Sequence, residues 1–338
     1  MKSNNQMTLR VEREGFPIKE PFHISGHTMY DSDVVKVTLE KDGRTGRGEA
    51  SGVYYRAGED LAGVMRQIEA VRAQVEAGID RASLQKLLPT GGARNALDCA
   101  LWDLEAKLTG RHAWAIAGLS QPRPLLTTFT VGANNPEKMA HDARAYEQAK
   151  AIKVKLVGEP LDADRIRAVH KARPEVWLGV DANQGFTRPL LESLLPVFVE
   201  TGVKLIEQPF KIGSEAQLDG LKSPIPFAAD ESVQGLANVA ALVGRFQVVN
   251  IKLDKCGGLT EGLAMAREAR RLGLDVMVGN MLGTSLAMAP AWLVGQLCDV
   301  VDLDGPAFLR VDRPNPIRYE GGMISCPDAL WGAPESKR

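Results

Sequence analysis

Five short motifs carry charged side chains in order along this 338-residue chain: Lys153-Val-Lys155, Val-Asp181-Ala-Asn183, Ile-Glu207-Gln-Pro, Ala-Asp230-Glu231-Ser and Asn-Ile-Lys252. Each closes an apolar, β-branched run and precedes a helical pattern. The acids Asp181, Glu207 and Asp230 are 26 and 23 residues apart, and lysines flank them on both sides. Carboxylates at the ends of successive strands, about 4.8 Å apart, can converge on one cation. An all-oxygen, all-carboxylate set favours a hard ion, Mg2+ or Mn2+, with water or substrate completing the shell. Any one of these acids alone would read as a solvated loop residue or a helix cap. Glu231 and Asn183 read as neighbours that cap or orient them.

Residues i and i+2 of a strand share a face, so Lys153 and Lys155 point to the same side. Two ammonium groups side by side near a metal disfavour protonation of one of them, which moves Lys155 toward use as a general base. Lys252 ends the sixth predicted strand and faces Lys155 across the fold. A lysine on each side of a substrate carbon can take a proton from one face and return one to the other. Lys255, three residues on and followed by Gly257-Gly258, reads as a supporting or anion-binding residue.

The surrounding elements must place these groups. The first 120 residues read as α+β, with strand runs at Leu9–Arg13 and Val34–Leu39, a tight turn near Gly43, and a run at Gly46–Ala50. Helices are predicted over 60–78 and 92–109, the second interleaving Asn95, Asp98, Trp102 and Glu105 with apolar residues. After the linker Ser120–Pro124 the rhythm becomes strand–helix. Strands are predicted at 126–131, 151–156, 176–181, 203–207, 225–229, 247–252, 275–279 and 299–303, separated by helices of 8–16 residues. This predicts an α/β fold, a modified (β/α)8-type [(β/α)7β] TIM barrel with an α+β N-terminal capping domain, its site at the C-terminal strand ends. Residues 1–122 would form the cap, with 311–338 packing back on it, and 123–310 the barrel. A doubly wound sheet is the alternative, but neither a dinucleotide nor a P-loop fingerprint is present.

Composition narrows the function classes. A formal net charge of −1 argues against nucleic acid or an anionic membrane as partner. No stretch approaches 18 uninterrupted apolar residues, so a cytoplasmic location is expected. The four cysteines show neither zinc spacing nor a disulfide framework and read as free thiols.

The five motifs, with Asn-Ile-Lys252-Leu-Asp-Lys255-Cys-Gly-Gly, resemble the enolase superfamily, muconate-lactonizing subgroup, over essentially the whole chain. The resemblance implies Asp181, Glu207 and Asp230 as Mg2+ ligands and Lys155 and Lys252 as the acid/base pair, acting through an enolate. It also implies a homo-oligomer, often an octamer. Within the subgroup, Val301-Asp302-Leu-Asp304-Gly-Pro306 resembles the Asp-x-Asp with which dipeptide epimerases grip the substrate's α-ammonium. Asp302 and Asp304, sharing a strand face, would anchor a cation, with Thr130 as a further pocket residue. The expected activity is therefore Mg-dependent epimerisation of the second residue of an L-Ala-Xaa dipeptide, of the L-Ala-D/L-Glu type. The alternative is an N-acylamino-acid racemase, for N-acetyl- or N-succinyl-glutamate. An acid-sugar dehydratase would need a histidine base late in the barrel, and the last histidine here is His170. One departure concerns specificity: where family members acting on L-Ala-L-Glu place an arginine, this chain aligns Gly26. Arg56 is the candidate substitute cation, whereas Asp31 and Asp33 would favour a basic side chain.

Overall fold

The computed structural model describes residues 6–24 and 27–335. Strands β1 (Thr8–Ile24), β2 (His27–Lys41) and β3 (Arg44–Ser51) form an antiparallel sheet. Asp42 and Gly43 join β2 to β3 with φ of 49° and 71°. A two-residue hairpin of this kind needs left-handed backbone at both positions, which Asp-Gly tolerates. The buried side chains of Leu9, Val35, Val37 and Leu39 pack on helices α1 (Leu61–Ala70), α2 (Arg72–Glu76), α3 (Arg81–Leu87) and α4 (Gly92–Thr109). The helix predicted over 60–78 is two, broken at Val71, and α3 was not predicted. Seven residues are too few to display a period. Its start is marked by Asp80, which caps Ser83 N at 2.7 Å.

Helix α4 is buried on nearly every side because it lies between the sheet and the barrel. On the sheet side, a β-carbon at Gly48 would stand 2.1 Å from Ala96 O, and one at Gly46 2.2 Å from Ala100 O. Only glycine permits that approach. On the barrel side its polar residues are anchors. Asp98 accepts from Thr260 N at 2.9 Å, Thr260 Oγ1 at 2.6 Å and Gln85 Nε2 at 3.0 Å. Asn95 donates to Asp254 Oδ1 at 3.1 Å, and Trp102 Nε1 to Thr260 Oγ1 at 2.9 Å. Burial pushes the Asp98 carboxyl up to about 6 against the hydrogen bonds from Thr260. The folded protein thus holds a proton that the unfolded chain, near 3.9, releases. Stability from this residue declines as pH rises from 4 through 6. Asp98→Asn, which cannot ionise, is expected to lose less stability than the parent protein as pH rises from 4 to 7. Thermal melts of both proteins across that range check it.

The second sheet has eight parallel strands. After the short β4 (Leu125–Leu126) come β5 (Phe129–Val131), β6 (Ala151–Lys155), β7 (Trp177–Asp181) and β8 (Val203–Glu207). Then follow β9 (Phe227–Ala229), β10 (Val248–Ile251), β11 (Asp275–Val278) and β12 (Val300–Val301). Strands β5 to β12 are hydrogen-bonded in chain order. The seam between β5 and β12 is bridged by Thr128 N donating to Val301 O at 2.9 Å. The first predicted strand, 126–131, is two elements, because β4 pairs instead with β14 (Met323–Ser325), itself paired with β13 (Arg318–Glu320). Two crossovers are shorter than predicted. The one after β8 has only the 3-10 turn Glu215–Leu218, and the one after β9 the single turns Leu236–Val239 and Ala240–Leu242. The C-terminal segment reaches the first sheet and α4: Trp331 Nε1 donates to Arg47 O at 2.9 Å and Gly332 N to Asp103 Oδ1 at 2.8 Å. Among the described residues no helix is long and apolar enough to cross a membrane.

Inward-facing residues follow the two-residue period of each strand. At one level Leu205, Ala228, Val248 and Met277 form an apolar plug with Trp177 and Val300. Two residues further along the same faces stand Glu207, Asp230, Asn250 and Asp302. The same face thus changes from apolar to charged between the barrel's middle and its C-terminal end.

Candidate active site

Five consecutive strands, β6 to β10, deliver Lys155, Asp181, Glu207, Asp230 and Lys252 in that order. Lys155 lies opposite Asp181 in the β6–β7 ladder, and Asp181 opposite Glu207 in the β7–β8 ladder. Asp230 and Lys252 come one residue after β9 and β10. Ligand oxygens of Asp181, Glu207 and Asp230 all lie within 4.8 Å of one another, and all three residues are buried. The two lysines are held to the outer acids: Lys155 Nζ to Asp181 Oδ2 at 2.5 Å, and Lys252 Nζ to Asp230 Oδ2 at 2.6 Å. Strands β6 and β10 are four apart in a sheet of eight, half its circumference, so these ammonium groups face each other.

A small cavity of about 70 Å³ opens above this row. Lys153, Lys155, Lys252, Asn183, Asp230 and Glu231 line it, as do Thr130, Asp302 and Asp304. Lys153 Nζ bonds Asp302 Oδ2 and reaches Glu207 Oε2 at 3.4 Å and Asp181 Oδ2 at 3.8 Å. Lys255 is fully buried behind Asp230 and donates to its carboxylate and its carbonyl. Asp302 and Asp304 fall beyond the end of β12 and so do not share a strand face. They nevertheless sit together, held across the seam. Asp302 accepts from Thr128 Oγ1 at 2.5 Å, and Asp304 from the backbone N of Thr130 at 2.6 Å. The Thr130 contribution to the site is therefore its main chain as well as its position in the wall.

Arg56 lies apart from the cluster. Its guanidinium donates to Lys255 O at 3.1 Å and Thr90 O at 2.9 Å, and it is not among the lining residues. Asp33 pairs with Arg13, and neither it nor Asp31 lines the cavity. Gly26 lies outside the described residues.

Other residues shape the site without having been singled out in the sequence. Asn250, two residues before Lys252 and therefore on the same face, donates Nδ2 to Glu207 Oε1 at 2.7 Å. Gln208 follows Glu207 with φ of 35°, a left-handed conformation that costs a non-glycine residue energy. Its Oε1 accepts from Asp230 N and Ser232 N, both at 3.0 Å, which fixes the start of the next motif. Both residues stood inside the quoted motifs, so parity and adjacency could have found them. Met29, Tyr54, Tyr55, Met281, Leu282 and Phe308, which complete the cavity, carried no such signal.

Electrostatics test whether a cation fits. Six buried carboxyl groups (Asp181, Glu207, Asp230, Glu231, Asp302 and Asp304) face four buried ammonium groups (Lys153, Lys155, Lys252 and Lys255), an excess of two negative charges. The surplus is visible in the acids. Burial, then Asp181, pushes Glu207 up to about 8; burial, then Asp230, pushes Glu231 up to about 7; burial, then Asp302, pushes Asp304 up to about 6. Asp230 and Asp302 are held low against burial by Lys252 with Lys255, and by Lys153. Burial alone would lower the Lys153 and Lys252 ammonium groups, but neighbouring carboxylates outweigh it and raise both. Glu231 Oε2 and Asn183 Oδ1 are buried without a hydrogen-bond partner. An oxygen-rich pocket short of two positive charges fits a hard divalent ion.

Comparison with known proteins agrees with this geometry. Residues 137–331 match the family described as enolase C-terminal domain-like, and residues 6–118 match the mandelate racemase / muconate lactonizing enzyme N-terminal domain. The chain is 41% identical over 319 residues to L-Ala-D/L-Glu epimerase of Escherichia coli strain K12, covering 94% of this chain and 99% of that protein. It is 38% identical over 282 residues to N-acetyl-D-glutamate racemase of a Pseudoalteromonas species, covering 82% and 89%. A crystal structure of an enolase family member from Agrobacterium tumefaciens with homology to dipeptide epimerases, with bound sodium and L-Ala-L-Glu, superposes with a TM-score of 0.93. It is 42% identical, over 96% of this chain and all of that one. With both of its domains matched and its fold shared, the chain belongs to the enolase superfamily, in the mandelate racemase / muconate lactonizing enzyme family.

Proposed function

We propose that this protein is a Mg2+-dependent isomerase, a dipeptide epimerase that inverts the α-carbon of the second residue of an L-Ala-Xaa dipeptide. The observation that carries this reading is the row of five: two buried lysines half a barrel apart with three carboxylates between them. Asp181, Glu207 and Asp230 would hold Mg2+, or Mn2+ in its place. The ion supplies positive charge to the substrate carboxylate and to the enolate that forms when the α-proton leaves. Lys155 and Lys252 act on opposite faces of the α-carbon. One, unprotonated, takes the proton; the other, as ammonium, delivers its own to the far face, and exchange with solvent resets the pair. Lys153, Asn183, Glu231 and Lys255 hold the ligands and bases in place. The same reading makes the protein a cytoplasmic homo-oligomer, with dipeptides as its small-molecule partners.

Asp302 and Asp304 distinguish the dipeptide reading from its rival, an N-acylamino-acid racemase. Among the described residues Lys153 pairs with Asp302 and no cation pairs with Asp304, which leaves one negative charge for the substrate's own ammonium. An N-acyl group has no charge to offer. A hydrogen bond to a charged group contributes about 1.5–3 kcal/mol, or roughly 10- to 150-fold in binding. Asp304→Asn is therefore expected to raise KM for L-Ala-Xaa substrates by about that factor. Acetylating the amino terminus of a good dipeptide should abolish its use. The decisive measurement is kcat/KM for matched dipeptides and N-acetyl amino acids. If the N-acetyl compound is better by more than tenfold, the racemase reading replaces this one.

A further inference from the structure

We infer that the side chain of the substrate's second residue is uncharged and apolar; the inference rests on the dipeptide reading above. Once the carboxylates, lysines and Asp302/Asp304 take the polar parts of the substrate, the remaining wall is Met29, Met281, Leu282 and Phe308, with Tyr54, Tyr55 and Asn280 as hydrogen-bonding side chains and no cation among them. The four apolar residues come from β2, from the segment after β11, and from the 3-10 turn Gly305–Phe308. Such a wall gains from burying methyl and methylene groups and offers no counter-charge to a carboxylate.

Among the described residues that line the cavity or its neighbour, no cation is free to supply a counter-charge. The lining's cations, Lys153, Lys155 and Lys252, are each bonded to a carboxylate of the reaction centre. Arg56 is committed to two backbone carbonyls. In the sequence, residues 20–35 contain no lysine or arginine. Lys19 and Lys138 line a neighbouring cavity that shares Thr130 and Phe308 as its wall. There Lys19 donates to Ala307 O at 2.7 Å and Lys138 pairs with Asp142 at 2.6 Å. A glutamate side chain would thus be buried without a cation, and its transfer from water would be uncompensated.

The test uses the full-length enzyme with Mg2+ in deuterated water, following α-hydrogen exchange by mass. L-Ala-L-Leu and L-Ala-L-Met are expected to exceed L-Ala-L-Glu and L-Ala-L-Lys by at least roughly tenfold in kcat/KM. Leu282→Arg, which places a cation on the wall, is expected to reverse the order toward L-Ala-L-Glu. A parent enzyme that prefers L-Ala-L-Glu or L-Ala-L-Lys by tenfold overturns the inference and leaves the epimerase reading standing. The pair N-acetyl-L-leucine and N-acetyl-L-glutamate reads the same wall independently of the ammonium site. If only these exchange, with leucine ahead, the dipeptide reading fails and the apolar wall survives; with glutamate ahead, both fail.

Discussion

Replacing Lys155 by alanine is expected to leave an enzyme that exchanges the α-hydrogen of only one of the two epimers with deuterated solvent, and Lys252→Ala is expected to exchange only the other. The expectation follows from position. The ammonium groups end strands four apart in an eight-stranded sheet, so each meets one face of a carbon held between them. Losing an assisting acid or base ordinarily lowers a rate by about 10²–10⁴-fold. Here inversion needs both groups, so epimerisation should fall well beyond that range while half of the exchange persists. Gly279 refines the test. A β-carbon there would stand 2.9 Å from Lys252 Cε and 2.7 Å from Asn250 Oδ1. Gly279→Ala should therefore depress exchange on the Lys252 side alone, with Lys155-side exchange near that of the parent enzyme. Exchange of both epimers by either lysine variant would refute the two-base arrangement.

Chelating divalent ions, or changing any one of the three acids proposed to hold Mg2+, should abolish turnover. Asp181→Asn, Glu207→Gln and Asp230→Asn each remove a charge from a cluster whose oxygens lie within 4.8 Å. A second readout separates metal binding from catalysis. The metal-free cluster holds six carboxyl groups against four ammonium groups, so a bound dication relieves repulsion in the folded state. Ligand that binds only the folded state stabilises it, by about 2.7 kcal/mol at a hundred times Kd. Mg2+ should raise the Tm of the parent protein and have little effect on the three variants. Glu207→Gln without metal should melt close to the metal-free parent at neutral pH, because burial and Asp181 already push the Glu207 carboxyl up to about 8. Full activity after exhaustive EDTA treatment, or an unchanged Mg2+ shift in the variants, would overturn the assignment.

Much of the fold, and the clustering of the candidate site residues, could be read from the chain because both rest on local periodicity. Parity along each strand places Leu205 and Glu207, or Val248, Asn250 and Lys252, on one inward face. An apolar residue followed two places on by a charged one therefore announces a barrel with chemistry at its C-terminal end. The regular spacing of the motifs orders those strands, which is why Lys155, Asp181, Glu207, Asp230 and Lys252 could be named without coordinates. The Asp-Gly hairpin was legible for the same kind of reason, since its φ values depend on two residues only.

Tertiary structure decided whatever depends on partners far apart in sequence. Leu125–Leu126 left the predicted first strand because Met323 and Ile324 offered it a ladder some 200 residues away. Arg56, a plausible cation for the substrate, is drawn off by the carbonyls of Thr90 and Lys255. The seam that brings Asp302 and Asp304 together relies on Thr128 and Thr130, more than 170 residues earlier. The wall of Met29, Met281, Leu282 and Phe308 comes from three separate elements, and none of these residues has a pattern that marks it. Apolar burial is non-directional, so any of many apolar side chains could have formed that wall. Which ones did was settled by how the N-terminal sheet sits on the barrel, through Gly46, Gly48 and the polar face of α4.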